Sequence, residues 1–393
     1  MMRIGIVGTG RRACSFADEL QNRAGVRQRA ELAALCDLNP KRLAVFQSAY
    51  APGVAMYTDY DAFLRQAKLD AVIVTTPCYT HAELTIKAFE AGKHVLCEKA
   101  MALTPADLQA MLDAEKRSGK RMQLGLCLRY ADFMRELIPI LRRGEIGDVV
   151  MVSAVETLEG SSHFNRWHRL KKLSGGIMLQ KGTHTLDLIN WIVDGHPKTV
   201  TATGGRDVYK ARRDCVDRRC SACPESGACA SRLDFGEGDP SNCRLYKDCE
   251  DQDGYIWDRC VFDPAVDICD NVMAQVEYDN GRRAQYAISL FYQDTGIERE
   301  FVILGTGGRI NVSRRREEIV IRRRRSKDLI RYNLQGHGEG FETEMQDFLN
   351  MIETGKTPIA DSQAGYWSAL AGLAAEQSIT ERRIVNIAEL AAG

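Results

Sequence analysis

The feature that most constrains this chain is the run Gly8-Thr9-Gly10-Arg11-Arg12-Ala13, which follows the apolar stretch Arg3–Val7. It fits G-x-G-x-x-[G/A] between a strand and a helix. Gly8 permits the tight turn, Gly10 lets the backbone approach a pyrophosphate, and Ala13 is small enough for close helix–strand packing. The anion then sits on the N–H groups of the helix N-terminus. Such a loop works only inside a βαβ frame, so the opening of the chain predicts a parallel sheet. Asp37 closes the second apolar run, where a carboxylate accepts from ribose hydroxyls and repels a 2′-phosphate. That favours NAD over NADP.

The next hundred residues keep this grammar. Apolar runs recur at Leu32–Cys36, Ala71–Thr75, His94–Cys97 and Met122–Leu126, with helical patterns between them. The clearest helix is Thr104–Ser118, with Thr104 as N-cap, Pro105 in the first turn, Asp107 completing a capping box and Gly119 as terminator. Strand–helix alternation specifies a parallel sheet covered on both faces. After Tyr130 the pattern changes. A helix over Ala131–Arg143 precedes a strand at Asp148–Glu156, and a helix is expected from Gln180 to Val193. Strands follow at Lys198–Gly204, Asn271–Tyr278, Arg283–Phe291, Glu298–Leu304 and Glu317–Arg322, with turns at Asn280-Gly281 and Gly307-Gly308. Helical patterning closes the chain at Gly340–Glu353 and Asp361–Ser378.

At 393 residues the chain is two to three times a usual ~100–200 residue domain. The expected fold class is α/β: a Rossmann N-terminal domain over 1–125, then an α+β domain over 126–393 with a large, mostly antiparallel sheet. Residues 205–265 are polar, irregular and Cys-rich, and read as an insertion. Lys+Arg and Asp+Glu both number 53, so the net charge is zero and no nucleic-acid partner is expected. The basic clusters Arg314–Arg316 and Arg322–Arg325 flank an alternating strand and read as a solvated sheet face. No apolar window approaches the ~18 residues of a membrane span. The N-terminus lacks a signal-peptide pattern, so the cytoplasm is the expected location.

Two further stretches carry a resemblance. Thr76-Pro77-Cys78-Tyr79-Thr80-His81-Ala82-Glu83 resembles T-P-x-x-x-H-x-E of the glucose–fructose oxidoreductase / inositol dehydrogenase / rhizopine-catabolism (Gfo/Idh/MocA) family, and Glu98-Lys99 resembles its E-K-P motif. The run from Gly175-Gly176 through Gln180, Gly182 and His184 to Asp187 resembles its G-G-x-x-x-D-x-G-x-H-x-x-D segment. The chain departs from the family at Ala100, which replaces a typically cis proline, and at Gln180, which replaces an aspartate. The resemblance implies an NAD site of Gly8, Thr9, Gly10, Arg11, Arg12, Asp37, Thr75, Thr76, Pro77, His81, Glu98 and Lys99. It implies Lys99 and His184 as the catalytic pair. Imidazole is the better base near neutrality, and a lysine close to the reacting oxygen stabilises a developing alkoxide. It places Arg129 and Tyr130 near the substrate, with Arg166, Trp167 and His168 of the basic loop 161–174. On one helix, Gln180, His184, Asp187 and Trp191 share a face, and Lys181 joins this group. Asp187 is placed to orient His184 or to satisfy backbone. Arginine suits a carboxylate, sulfonate or phosphate, so an anionic carbohydrate is one expected substrate. A homo-oligomer, dimer or tetramer, is expected by resemblance only.

Three functions fit these residues. The first is an NAD-dependent oxidoreductase acting on a secondary alcohol of a sugar or polyol. The second is a glycosidase that oxidises its substrate transiently, eliminates the aglycone, adds water and reduces the ketone again, with sulfoquinovosides among the acidic glycosides it would suit. The third is a non-enzymatic NAD sensor, which the lysine–histidine pair disfavours.

Of thirteen cysteines, Cys14, Cys36, Cys78, Cys97 and Cys127 are scattered, while eight crowd between Cys215 and Cys269. Cys215, Cys220, Cys223 and Cys229 read C-x4-C-x2-C-x5-C, and a C-x-x-C pair is the usual half of a tetrahedral zinc site. The insert resembles one in a branch of the family where a later Arg-Cys-Val cysteine accompanies it. Structural zinc is therefore expected on Cys220, Cys223, Cys229 and Cys260, with Cys215 or Cys243 as the alternative fourth ligand.

Overall fold

The opening apolar run becomes β1 (Met2–Val7), and the runs after it become β2 (Ala30–Cys36), β3 (Ala55–Tyr57), β4 (Ala71–Val74), β5 (His94–Cys97) and β6 (Met122–Leu124) in the computed structural model. It describes residues 1–233, 240–292, 297–334 and 340–391. These strands pair in parallel in the order β3-β2-β1-β4-β5-β6. Every residue of β4 is buried, as a strand covered on both faces requires. Helix Pro105–Ser118 starts where its capping box sets it: the Asp107 N–H donates to Thr104 Oγ1 at 3.1 Å. It ends at Gly119 with φ +66°, the left-handed residue that closes many helices.

The second sheet takes β7 (Val149–Thr157), β8 (Pro197–Gly205), β9 (Asn271–Tyr278), β10 (Arg283–Ser289), β11 (Glu298–Gly305), β12 (Gly308–Ser313), β13 (Glu318–Arg323), β14 (Leu329–Asn333) and β15 (Val385–Asn386). Their order is β14-β13-β12-β11-β7-β10-β9-β8-β15, and only β7–β10 runs parallel. Burial alternates along β9, so one face meets the core and the other stays open. Helices Thr183–Val193 and Ser362–Glu381 pack on the covered face. Arg322–Arg325 are exposed at the end of β13.

Two expectations change. Residues 180–193 do not form one helix. A turn over Ile177–Gln180 ends before Lys181-Gly182, and a separate helix runs over Thr183–Val193. Gly182 lies so close to the first turn that a Cβ there would stand 2.7 Å from the Met178 carbonyl oxygen. Gln180 therefore belongs to a different turn from His184, Asp187 and Trp191. The short edge strands β3, β14 and β15 also escape periodicity, since two to five residues hold too few alternations. The insertion consists of short turns and helices, including Pro240–Leu245 and Glu250–Asp253, and its residues 234–239 lie outside the described ones.

Candidate active site

The carboxyl ends of β1, β2, β4 and β5 converge where the strand order reverses, the usual nucleotide crevice of an open α/β sheet. Gly8 has φ +90°, and a Cβ there would stand 2.8 Å from the Thr76 backbone nitrogen, so only glycine fits beside the β4 loop. Thr75 Oγ1 donates to the Gly8 carbonyl at 2.6 Å, tying the two loops. Asp37 ends β2 nearly buried. Its Oδ2 accepts from the Thr9 N–H at 2.7 Å and Thr9 Oγ1 at 2.9 Å, and its Oδ1 from the Asn39 N–H at 2.9 Å. This cradle fits a dinucleotide, with one qualification: the Arg11 N–H at the start of helix Arg11–Asn22 donates to the Tyr246 hydroxyl at 2.9 Å.

Several expected cofactor contacts face elsewhere. Arg12 ion-pairs with Glu98 and with Glu344, the latter at 3.2 Å, while its guanidinium lies over the Phe16 and Phe341 rings. Burial pushes the Glu344 carboxyl up to about 8, against the pull of Arg12. His81 is fully buried, with Nδ1 2.7 Å from the Ala100 carbonyl and Nε2 2.9 Å from the Thr76 carbonyl. It ties the Thr76-Pro77 loop to the Lys99–Ala100 peptide, which is cis with alanine in place of proline.

Lys99 Nζ donates to the Gln180 carbonyl at 2.8 Å, which brings the end of β5 to the helical pair that carries His184. Buried atoms without a hydrogen-bond partner gather in this region: Gln180 Oε1, His184 Nδ1, His168 Nδ1 and Arg166 Nε. Buried polar groups are normally paired, so such a set marks a place that another molecule completes. Burial holds the His184 imidazole well below its usual 6.5, and the cations Lys99, Lys181, Arg299 and Arg12 add to that. His163 and His168 are depressed by burial too, His163 to about 3. The three imidazoles are neutral near pH 7. Trp167 stacks on His168 at 3.8 Å between centroids, and Arg166 lies over the Trp257 ring at 4.9 Å.

Three expected substrate contacts are turned to other partners. Arg129 donates to both oxygens of Asp187, at 2.8 and 2.7 Å, and to the Ile359 carbonyl at 2.7 Å. Asp187 therefore holds Arg129, and its oxygens are not directed at His184. The Tyr130 hydroxyl donates to Asp347 Oδ2 at 2.9 Å and accepts from the Ala360 N–H at 3.2 Å. Sequence reasoning also missed a buried charge cluster. Glu156 accepts from Arg299 Nη2 at 2.7 Å, Thr185 Oγ1 at 2.6 Å and the Tyr286 hydroxyl at 2.8 Å, with Lys181 Nζ 3.4 Å away. Arg299 and Glu156 stand directly opposite on β11 and β7. Both occupy the buried parity of their strands, which was the available signal.

The expected zinc site is not supported. Among the described residues no three or more His, Cys, Asp or Glu side chains are grouped to hold a metal ion. The Cys220 sulfur accepts from the Leu233 N–H at 3.2 Å, and Cys223 faces the Arg218 guanidinium at 3.9 Å. No closed four-thiolate site is assembled among the described residues.

The fold and the crevice define a two-domain, nucleotide-binding oxidoreductase. Comparison with family models agrees: the oxidoreductase family NAD-binding Rossmann fold matches residues 2–126, and that family's C-terminal alpha/beta domain matches residues 139–387. The chain belongs to the Gfo/Idh/MocA oxidoreductase family. YteT of Bacillus subtilis, a protein named as an oxidoreductase, is 29% identical over 408 residues covering 92% of both chains. The myo-inositol 2-dehydrogenase of Thermotoga maritima is 24% identical over 395 residues, 99% of each. A levoglucosan dehydrogenase solved with NADH and levoglucosan superposes with a TM-score of 0.77 at 19% identity, covering 98% of this chain and 99% of that one. Among the described residues no helix is long and apolar enough to cross a membrane.

Proposed function

We propose that the chain is an NAD-dependent dehydrogenase of a secondary alcohol on a sugar or polyol. The observation that carries this reading is His184: neutral, with an unpartnered Nδ1, on a helix whose preceding turn is bonded to Lys99. NAD, when bound along Gly8–Ala13, Asp37 and Thr75–Pro77, supplies the hydride acceptor. His184 takes the hydroxyl proton, and the Lys99 ammonium stabilises charge developing on that oxygen. Gln180 and His168 orient substrate hydroxyls. Arg166, whose buried Nε has no partner, supports an anionic substituent, since a buried guanidinium gains most from a carboxylate or sulfonate. Val150, Met151, Val155 and Met273 leave apolar surface on the open sheet face, which supports an oligomer formed there.

The test is incubation with NAD and a panel of polyols, sugars, sugar acids and their aryl glycosides. NADH formed in proportion to product is the expected result. Aglycone release without net NADH would instead establish the redox-neutral glycosidase. Neither signal would leave a nucleotide-binding protein without this chemistry.

Asp37 carries a second expectation, that NAD binds more tightly than NADP. Two charges ~4 Å apart interact by about 1 kcal/mol in water and by more near a protein surface. Asp37→Ala should therefore narrow the preference about tenfold in calorimetric titrations. An unchanged ratio would remove Asp37 from cofactor selection.

A further inference from the structure

The Cys-rich insertion has no part in the chemistry above, yet its segment 245–257 lies along the whole nucleotide crevice. At the pyrophosphate end the Tyr246 hydroxyl accepts from the Arg11 N–H at 2.9 Å, and a Cβ on Gly10 would stand 2.8 Å from that hydroxyl. At the ribose end, beside Asp37, the Asn39 side chain donates to the Cys249 carbonyl and to Asp253, both at 2.9 Å. Arg42 donates to the Leu245 carbonyl at 2.8 Å and to Asp253 at 2.7 Å, and Lys41 pairs with Asp251 at 3.1 Å. At the substrate end, Trp257 lies under the Arg166 guanidinium. The Tyr246 and Trp257 rings are parallel, with centroids 6.2 Å apart. Arg219 holds the segment from behind through Glu250 and Asp258.

The glycine loop keeps Gly10 bare and the Arg11 N–H directed outward so that a pyrophosphate oxygen can accept from it. A phenol oxygen already accepts there. One seat cannot hold both. We propose that residues 245–257 are a cover over the nucleotide crevice, with the Tyr246 hydroxyl standing in for a pyrophosphate oxygen until NAD displaces it. Cofactor entry and displacement of the cover are then one equilibrium. Opening at the pyrophosphate end breaks weak ties, while Leu245, Cys249 and the Arg42–Asp253 pair anchor the segment beside Asn39. The Lys41–Asp251 pair is exposed and contributes little, and the Tyr246 contact is a single neutral hydrogen bond. Charge also favours exchange of one acceptor for another, because Arg42 and Arg166 both act on Tyr246 and a phosphate would bring negative charge to the seat its hydroxyl occupies.

Hydrogen–deuterium exchange of the intact chain tests this without a variant. Saturating NAD should speed exchange in peptides from 245–257 while slowing it in Gly8–Ala13. Calorimetry supplies a second readout: Tyr246→Phe, which keeps the ring and removes the competing acceptor, should bind NAD about fivefold more tightly. Slower exchange in 245–257 with NAD would overturn the proposal, because the segment would then be a fixed wall of the filled site. Weaker or unchanged NAD affinity in Tyr246→Phe would overturn it equally.

Discussion

Replacing His184 with alanine should lower turnover about 10²–10⁴-fold, the usual loss on removing a general base, with NAD affinity preserved. The side chain sits on helix Thr183–Val193 and not on the glycine loop, so the loss should fall on proton transfer rather than on NAD binding. The pH profile sharpens this expectation. Burial first, and then the surrounding cations, hold the imidazole below 6.5, so it is already deprotonated where an ordinary histidine would be half charged. The acid limb of kcat/KM should therefore fall below pH 6.5. A limb at or above that value, or near-normal turnover in the alanine variant, would reject His184 as the base.

Glu156→Ala should cost about 3–5 kcal/mol of stability, read as a lower denaturation midpoint in urea with an unchanged slope. The carboxylate is fully buried and faces the fully buried Arg299 and the partly buried Lys181, so its removal strands two cations. Burial alone would raise its pKa. Arg299 and Lys181 more than offset that and bring it down to about 2, against 4.5 in the unfolded chain. The difference is worth about 3 kcal/mol. Because the folded value is the lower one, this stability is present above pH 4.5 and is lost as the pH falls towards 2. The variant should lack that part of the acid denaturation. Replacing Glu156 and Arg299 together by apolar residues should recover part of the loss, since the pair itself carries a desolvation cost. A single variant as stable as the parent would show that Arg299 and Lys181 find other partners.

The charge cluster also marks where reading the chain stops being local. Both residues sit at the buried parity of their strands, yet parity gives a side chain's face and not its partner. Their pairing depends on β11 lying antiparallel to β7 in one register, across 143 positions. Arg129 and Asp187 were legible as polar residues near the substrate motifs. That they bind each other follows from how helix Thr183–Val193 packs, which nothing in either motif encodes. The cysteine spacing was legible too, but among the described residues it does not assemble a group of three or more metal ligands.

By itself the sequence determined five of the six strands of the parallel sheet, the glycine loop at its crevice, the capped helix Thr104–Ser118 and the placing of Lys99 and His184 in motifs that carry the family resemblance. Each rests on interactions within a few residues: a turn that needs positive φ, a cap three positions from its donor, an alternation of apolar faces. Only the tertiary structure decided that His81, Arg12 and Glu98 brace the crevice from behind, that Arg129 is held by Asp187, and that Tyr246 meets the N–H of Arg11 across 235 positions. Such contacts join residues whose separation carries no pattern, and they form only once packing has fixed where each element lies.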